Sequence, residues 1–141
     1  MKVLVLGGGG REHALTAALA RDPEVTQVYA APGNPGMAGV AVLREVDLVN
    51  GAAVADLAES VAADLVVIGP EAPLVAGVAD AVRERGIACF GPSARAARLE
   101  GSKAFAKEVM ASAGVPTALA QSAPRRPSWR WRSTPSARPM S

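Results

Sequence analysis

Along this chain, short unbroken apolar runs alternate with stretches in which apolar residues recur at helical spacing. Residues 2–6 (Lys-Val-Leu-Val-Leu) form a β-rich run interrupted by four glycines, and they read as a buried first strand. Residues 11–21 carry Leu15, Ala18 and Leu19 at helical spacing, and Asp22-Pro23 stops that helix. A second strand is predicted over 25–31, followed by the dense turn signal Pro32-Gly33-Asn34-Pro35-Gly36. Residues 40–46 contain a short third strand. Residues 52–62 read as a helix with Val54, Leu57, Ala58 and Val61 on one face.

The run 64–69 (Asp-Leu-Val-Val-Ile-Gly) is apolar without alternation, as in a strand covered on both faces. Pro70-Glu71-Ala72-Pro73 turns the chain into a helix over 74–85. Gly86 ends that helix, and 87–90 is the next strand. Helical stretches follow at 94–99 and 103–113, with Ser93 and Ser102 as N-caps. The order β-α-β-(β)-α-β-α-β-α predicts an α/β fold, a doubly wound parallel sheet with right-handed crossovers. In such sheets ligands bind outside the carboxyl ends of the strands. Three turns follow strand ends directly (7–13, 32–36 and 69–73), so they are predicted to meet along one edge.

Composition changes this picture in two ways. Half of the 141 residues are apolar but only 4% are aromatic, so Ala, Val and Leu must fill the core. Charge is unevenly placed: up to Ala120 there are 10 Lys/Arg against 13 Asp/Glu, whereas residues 121–141 hold five Arg and no acid. The predicted domain is therefore mildly acidic and carries no nucleic-acid footprint. Residues 118–141, rich in Pro, Arg, Ser and Trp and without periodicity, are expected to be a disordered tail. The single cysteine, Cys89, lies in an apolar run and reads as buried filler. The first apolar run is too short for a signal peptide or a membrane span, so a soluble cytoplasmic protein is expected, without a membrane partner.

The candidate chemistry sits in the turns. Gly7-Gly8-Gly9-Gly10 followed by Arg11-Glu12-His13 suits an anion, because glycine lets the backbone approach closely and a helix N-terminus presents free N–H groups. Arg11 adds a bidentate phosphate donor. The dinucleotide fingerprint Gly-x-Gly-x-x-Gly fails here: its third glycine falls on Glu12 or His13. His13 is either a packing residue at the helix start or a ligand contact, and Asn34 either stabilises its turn or bonds a ligand hydroxyl. Glu71, directly after the most apolar strand, could hold a ribose hydroxyl or an amine. No nucleophile–base pair, metal-ligand spacing or Walker loop is present in the sequence. The residues describe a binder of a small phosphorylated molecule rather than a complete catalyst.

Five motifs carry a resemblance. The segment 3–15 (Val-Leu-Val-Leu-Gly-Gly-Gly-Gly-Arg-Glu-His-Ala-Leu), 31–36 (Ala-Pro-Gly-Asn-Pro-Gly), 67–77 (Val-Ile-Gly-Pro-Glu-Ala-Pro-Leu-Val-Ala-Gly), 90–93 (Phe-Gly-Pro-Ser) and 99–107 (Leu-Glu-Gly-Ser-Lys-Ala-Phe-Ala-Lys) resemble the phosphoribosylamine–glycine ligases, in family order and spacing. These belong to the ATP-grasp ligases and join glycine to 5-phosphoribosylamine, using ATP and Mg²⁺ (or Mn²⁺), in purine biosynthesis. The resemblance implies a Rossmann-like pre-ATP-grasp domain over 1–117, with 100–117 leading toward an ATP-grasp domain. It implies a phosphoribosylamine site at Gly9, Gly10, Arg11, Glu12 and His13, with Pro32, Gly33, Asn34, Gly69, Pro70 and Glu71 beside it. Lys103 matches a lysine that reaches the ATP phosphates. No catalytic residue and no metal ligand is implied for this stretch, and full-length members often act as monomers.

After Ala118 the resemblance stops. The expectation is a truncated or frameshifted gene, inactive alone and lacking its ATP-grasp partner, with a separate chain as one source of that partner. Three other readings stand beside it: a stand-alone phosphoribose-binding module, the pre-ATP domain of another ATP-grasp enzyme such as a carboxylase, and a single-strand nucleic-acid binder acting through Trp129-Arg130-Trp131-Arg132.

Overall fold

The computed structural model describes residues 1–116. The expected tail at 118–141, with its Trp-Arg repeat, lies outside the described residues. Five strands form one sheet: β1 (Lys2–Gly7), β2 (Gln27–Pro32), β3 (Val42–Leu43), β4 (Leu65–Ile68) and β5 (Ala88–Phe90). Their order is β3-β2-β1-β4-β5 and every pairing is parallel. The helices are α1 (Gly10–Leu19), α2 (Gly51–Ser60), α3 (Glu71–Val75), α4 (Val78–Glu84), α5 (Ala94–Gly101) and α6 (Lys103–Ser112). The doubly wound parallel sheet expected from the sequence is present. The chain winds outward from β1 to β3, then crosses to β4 and β5 on the other side, so the topological switch lies between β1 and β4.

The sheet buries both faces near its centre. Leu4, Leu6, Ala31, Val66 and Ile68 point to one side, under Val54 and Ala58 of α2 and Val78, Ala79 and Val82 of α4. Val3, Val5, Val28, Ala30 and Val67 point to the other, with Met37 and Leu19 against them. Central strands covered on both faces need apolar residues at every position, which is why β1 and β4 do not alternate. At the β5 edge this second face is open: Val67 pairs in register with Phe90, yet Phe90 is 70% exposed.

Several predicted elements are corrected. The helix expected over 74–85 is two helices that begin earlier, at Glu71, with Pro73 tolerated in the first turn. It breaks at Gly77, whose φ of +85° is left-handed and incompatible with helix continuation. On α1 the buried face is not Leu15 and Ala18, which are exposed, but Glu12 and Thr16, with Leu19 partly buried. Asn50, unremarked in the sequence, caps α2 by accepting from Ala53 N at 3.1 Å. Ser93 and Ser102 cap α5 and α6 as expected. Cys89 is half-buried against the first core cluster rather than enclosed by it.

Charged side chains tie the outer helices together. Arg85 reaches from the end of α4 to Glu59 at 2.8 Å and Asp56 at 3.0 Å, both on α2. The bonds to Glu59 and Asp56 raise its guanidinium pKa above the ordinary value. Asp80 accepts from Ala94 N at 2.9 Å, so α4 holds the start of α5.

Candidate anion site at the sheet switch point

Register brings the three predicted turns together. Gly7 lies opposite Pro32, and Leu6 opposite Ile68, so the chain leaves β1, β2 and β4 at one level of the sheet. Gly7 has φ +118°, which turns β1 sharply into Gly8 and Gly9. Helix α1 then starts at Gly10 with Gly9 as its N-cap, a residue with no side chain to offer the helix amides. The first amides of α1, with their share of the helix dipole, are thus left facing the switch point. A β-carbon on Gly10 would meet nothing within 4 Å, so this side of the turn is open. Arg11 is exposed next to it.

Glu12 reaches back over the turn. Its Oε2 accepts from Gly9 N at 2.8 Å, and the residue is 5% exposed. Its Oε1 is buried without a hydrogen-bond partner among the described residues. The side chain occupies the space that a β-carbon on Gly69 would need, with Cγ at 2.5 Å and Cδ at 2.6 Å from that position. Pro70 closes the same spot from the β4 side, 2.9 Å from where a β-carbon on Gly7 would be. Glu12, Gly69 and Pro70 therefore form one packed unit between the ends of β1 and β4.

The β2 turn is seated from the other side. Asn34 Nδ2 donates to Gly8 O at 3.0 Å, and Asn34 Oδ1 accepts from Gly36 N at 2.9 Å. Gly33 lies so close to Gly8 that a β-carbon on Gly8 would overlap the Gly33 carbonyl oxygen. The half-buried His13 packs on Gly36, with Cε1 2.7 Å from where a β-carbon would stand. Gly8 and Gly36, mere letters of motifs in the sequence, acquire roles only here. The signal for Gly36 was the Pro-Gly-Asn-Pro-Gly turn itself, but nothing in it names His13 as the neighbour.

Glu71 is exposed at the start of α3, with Oε1 3.4 Å from the position of a β-carbon on Gly101. It thus faces the junction of α5 and α6, two residues before Lys103. Lys103 is exposed at the first position of α6, whose main packing partner is α5. The structure brings Gly9, Gly10, Arg11, Glu12, His13, Pro32, Gly33, Asn34, Gly69 and Pro70 into one loop cluster. Glu71 borders it, and Lys103 belongs to the helix pair beyond.

An open, doubly wound parallel sheet with a helix N-terminus and three converging loops at its switch point defines an α/β domain of the kind that takes ligands at that edge. The family model described as "Phosphoribosylglycinamide synthetase, N domain" matches residues 1–100, and the chain belongs to that family. It is 70% identical over 118 residues to a phosphoribosylamine–glycine ligase of Streptomyces coelicolor, covering 84% of this chain and 28% of the relative. Among solved structures, the phosphoribosylamine–glycine ligase of Thermotoga maritima matches 81% of this chain and 25% of its own, at 30% identity and a TM-score of 0.59. A biotin carboxylase domain of Hydrogenobacter thermophilus 2-oxoglutarate carboxylase, solved with MgADP, ADP and bicarbonate, matches 82% and 28% respectively. Its identity is 30% and its TM-score 0.63. The chain thus spans little more than a quarter of the curated relatives' length.

Proposed function

We propose that residues 1–117 are the phosphoribosylamine-holding domain of an ATP-dependent ligase that joins glycine to 5-phosphoribosylamine in cytosolic purine biosynthesis. The observation that carries this reading is the open, uncapped start of α1 at the switch point, with Arg11 exposed beside it. In this reading the amides of Gly10 and Arg11 and the Arg11 guanidinium take the 5-phosphate. His13, Pro32, Gly33, Gly69, Pro70 and Glu71 surround the ribosylamine. Lys103, at the start of α6, reaches toward the ATP phosphates, with 100–117 leading to the ATP-grasp portion.

Among the described residues no group of three His, Cys, Asp or Glu side chains could hold a metal ion. No phosphoryl-transfer step is assigned to these residues. In this proposal the ATP cleft, the metal and most glycine contacts belong to the portion of the relatives that the match does not span. No helix of the described residues is long and apolar enough to cross a membrane.

Calorimetric titration of the chain with ribose 5-phosphate tests the reading. Saturable binding that weakens in Arg11→Ala supports it, and absence of binding to wild type refutes it. A second reading, the pre-ATP domain of a carboxylase, draws on the 0.63 TM-score. Binding of ribose 5-phosphate disfavours that reading.

A further inference from the structure

We propose that Asn34 and Glu12 clamp the Gly8–Gly9 peptide from its two ends and so hold the glycine turn in its anion-binding form. Both are positioning residues that act through the backbone, and this deepens the anion-site reading above, on which its effect on affinity rests.

The carbonyl of Gly8 and the N–H of Gly9 belong to one planar peptide unit. Asn34 Nδ2 donates to that carbonyl at 3.0 Å. The same unit's N–H donates to Glu12 Oε2 at 2.8 Å. One holder comes from the loop after β2 and the other from the first turn of α1. Each is braced in turn: Asn34 by the bond from Gly36 N at 2.9 Å, Glu12 by the glycine-sized space at Gly69.

A peptide between two glycines needs this. Neither neighbour has a β-carbon to restrict rotation, so the plane can turn over at little steric cost. Turned over, it would point the Gly8 carbonyl, a partial negative charge, toward the α1 start where a phosphate would sit. It would also redirect the chain entering Gly10. The clamp removes that alternative from the unliganded protein, so that no binding energy goes to ordering the turn. Glu12 is nearly fully buried, with its bonded oxygen directed at the backbone, which suits a brace rather than a ligand contact.

The test uses the ¹⁵N-labelled 141-residue chain, with ribose 5-phosphate as the probe. Amide spectra are recorded without and with ligand for wild type, Asn34→Ala, Glu12→Ala and Glu12→Gln. Without ligand, the Gly9 amide should shift and exchange-broaden in Asn34→Ala and Glu12→Ala. Glu12→Gln keeps an acceptor oxygen and should restore a single sharp Gly9 signal. With ligand, the two alanine variants should bind about fivefold to tenfold more weakly, the scale of one lost hydrogen bond.

Asn34→Ala that loses affinity with the Gly9 amide unmoved would show direct ligand contact and overturn the clamp. So would a Gly9 amide unmoved in both alanine variants. Wild type whose Gly10 and Arg11 amides ignore ribose 5-phosphate refutes the anion site instead, and the unliganded Gly9 signals then decide the clamp alone. Should Glu12→Ala fail to fold, Asn34→Ala carries the same comparison.

Discussion

Asn34 and Glu12 never appear in the same stretch of sequence, yet they hold the carbonyl and the N–H of one peptide, Gly8–Gly9. This relationship links β2, β1 and α1 at the sheet's switch point. It also makes the local glycines unequal, because each faces a different neighbour.

Gly69→Ala and Gly10→Ala should therefore differ sharply in stability. A β-carbon at 69 collides with Glu12, a buried side chain with no room to retreat, whereas one at 10 meets open space. Overpacking of this kind costs about 1–3 kcal/mol. Gly10→Ala, at a helical position of compatible geometry, should be neutral or gain up to about 1 kcal/mol. Denaturant unfolding of the two variants measures the contrast, and equal midpoints would contradict the packing described.

Arg11→Ala should leave the unfolding midpoint near wild type, since the side chain is exposed. It should weaken ribose 5-phosphate binding by about tenfold or more, the scale of a charge-assisted hydrogen bond. Raising salt should reduce wild-type affinity more than that of the variant. Titration at two ionic strengths reads both effects.

Burial pushes the Cys89 thiol pKa up; the Arg83 charge opposes this and the Asp80 charge adds to it. The folded protein therefore favours the neutral thiol. The stability that this preference contributes is fully present below the ordinary thiol pKa and is lost as pH rises through the raised folded value. Wild type should lose stability across that alkaline window relative to Cys89→Ala. Alkylation of folded protein near pH 8 should run slower than that of a free thiol. Rates matching the unfolded chain would argue against burial.

The open face at β5 should promote association. Phe90 is 70% exposed on an edge strand, and Leu99, Val109 and Met110 are exposed on α5 and α6. A free strand edge beside apolar surface favours pairing between chains. Light scattering should show concentration-dependent self-association of the chain, reduced in Phe90→Glu. A monomer at high concentration would count against it.

Much of this was legible in the letters, and the reasons are local. Apolar runs without alternation marked β1 and β4 as central strands. Ser93 and Ser102 preceding helical stretches marked two N-caps. The alternation of strands and helices favoured a parallel sheet, because a helical crossover returns the chain in the same direction. The glycine turn announced a close backbone approach, and its departure from Gly-x-Gly-x-x-Gly excluded the dinucleotide pattern.

What the letters could not decide depends on contacts between distant segments. On α1 the apolar Leu15 and Ala18 face outward, while the sheet end accepts Glu12 and Thr16. Only packing explains that choice: Gly69 supplies the space and Gly9 the N–H for a carboxylate. The split at Gly77 needed the backbone angle, since an isolated glycine in a helical pattern does not by itself end the helix. By itself the sequence determined the strands, the turns and their common edge, through periodicity and backbone chemistry. The tertiary structure alone decided which side chains brace the glycine turn, because a hydrogen bond across three elements leaves no periodicity in any one of them.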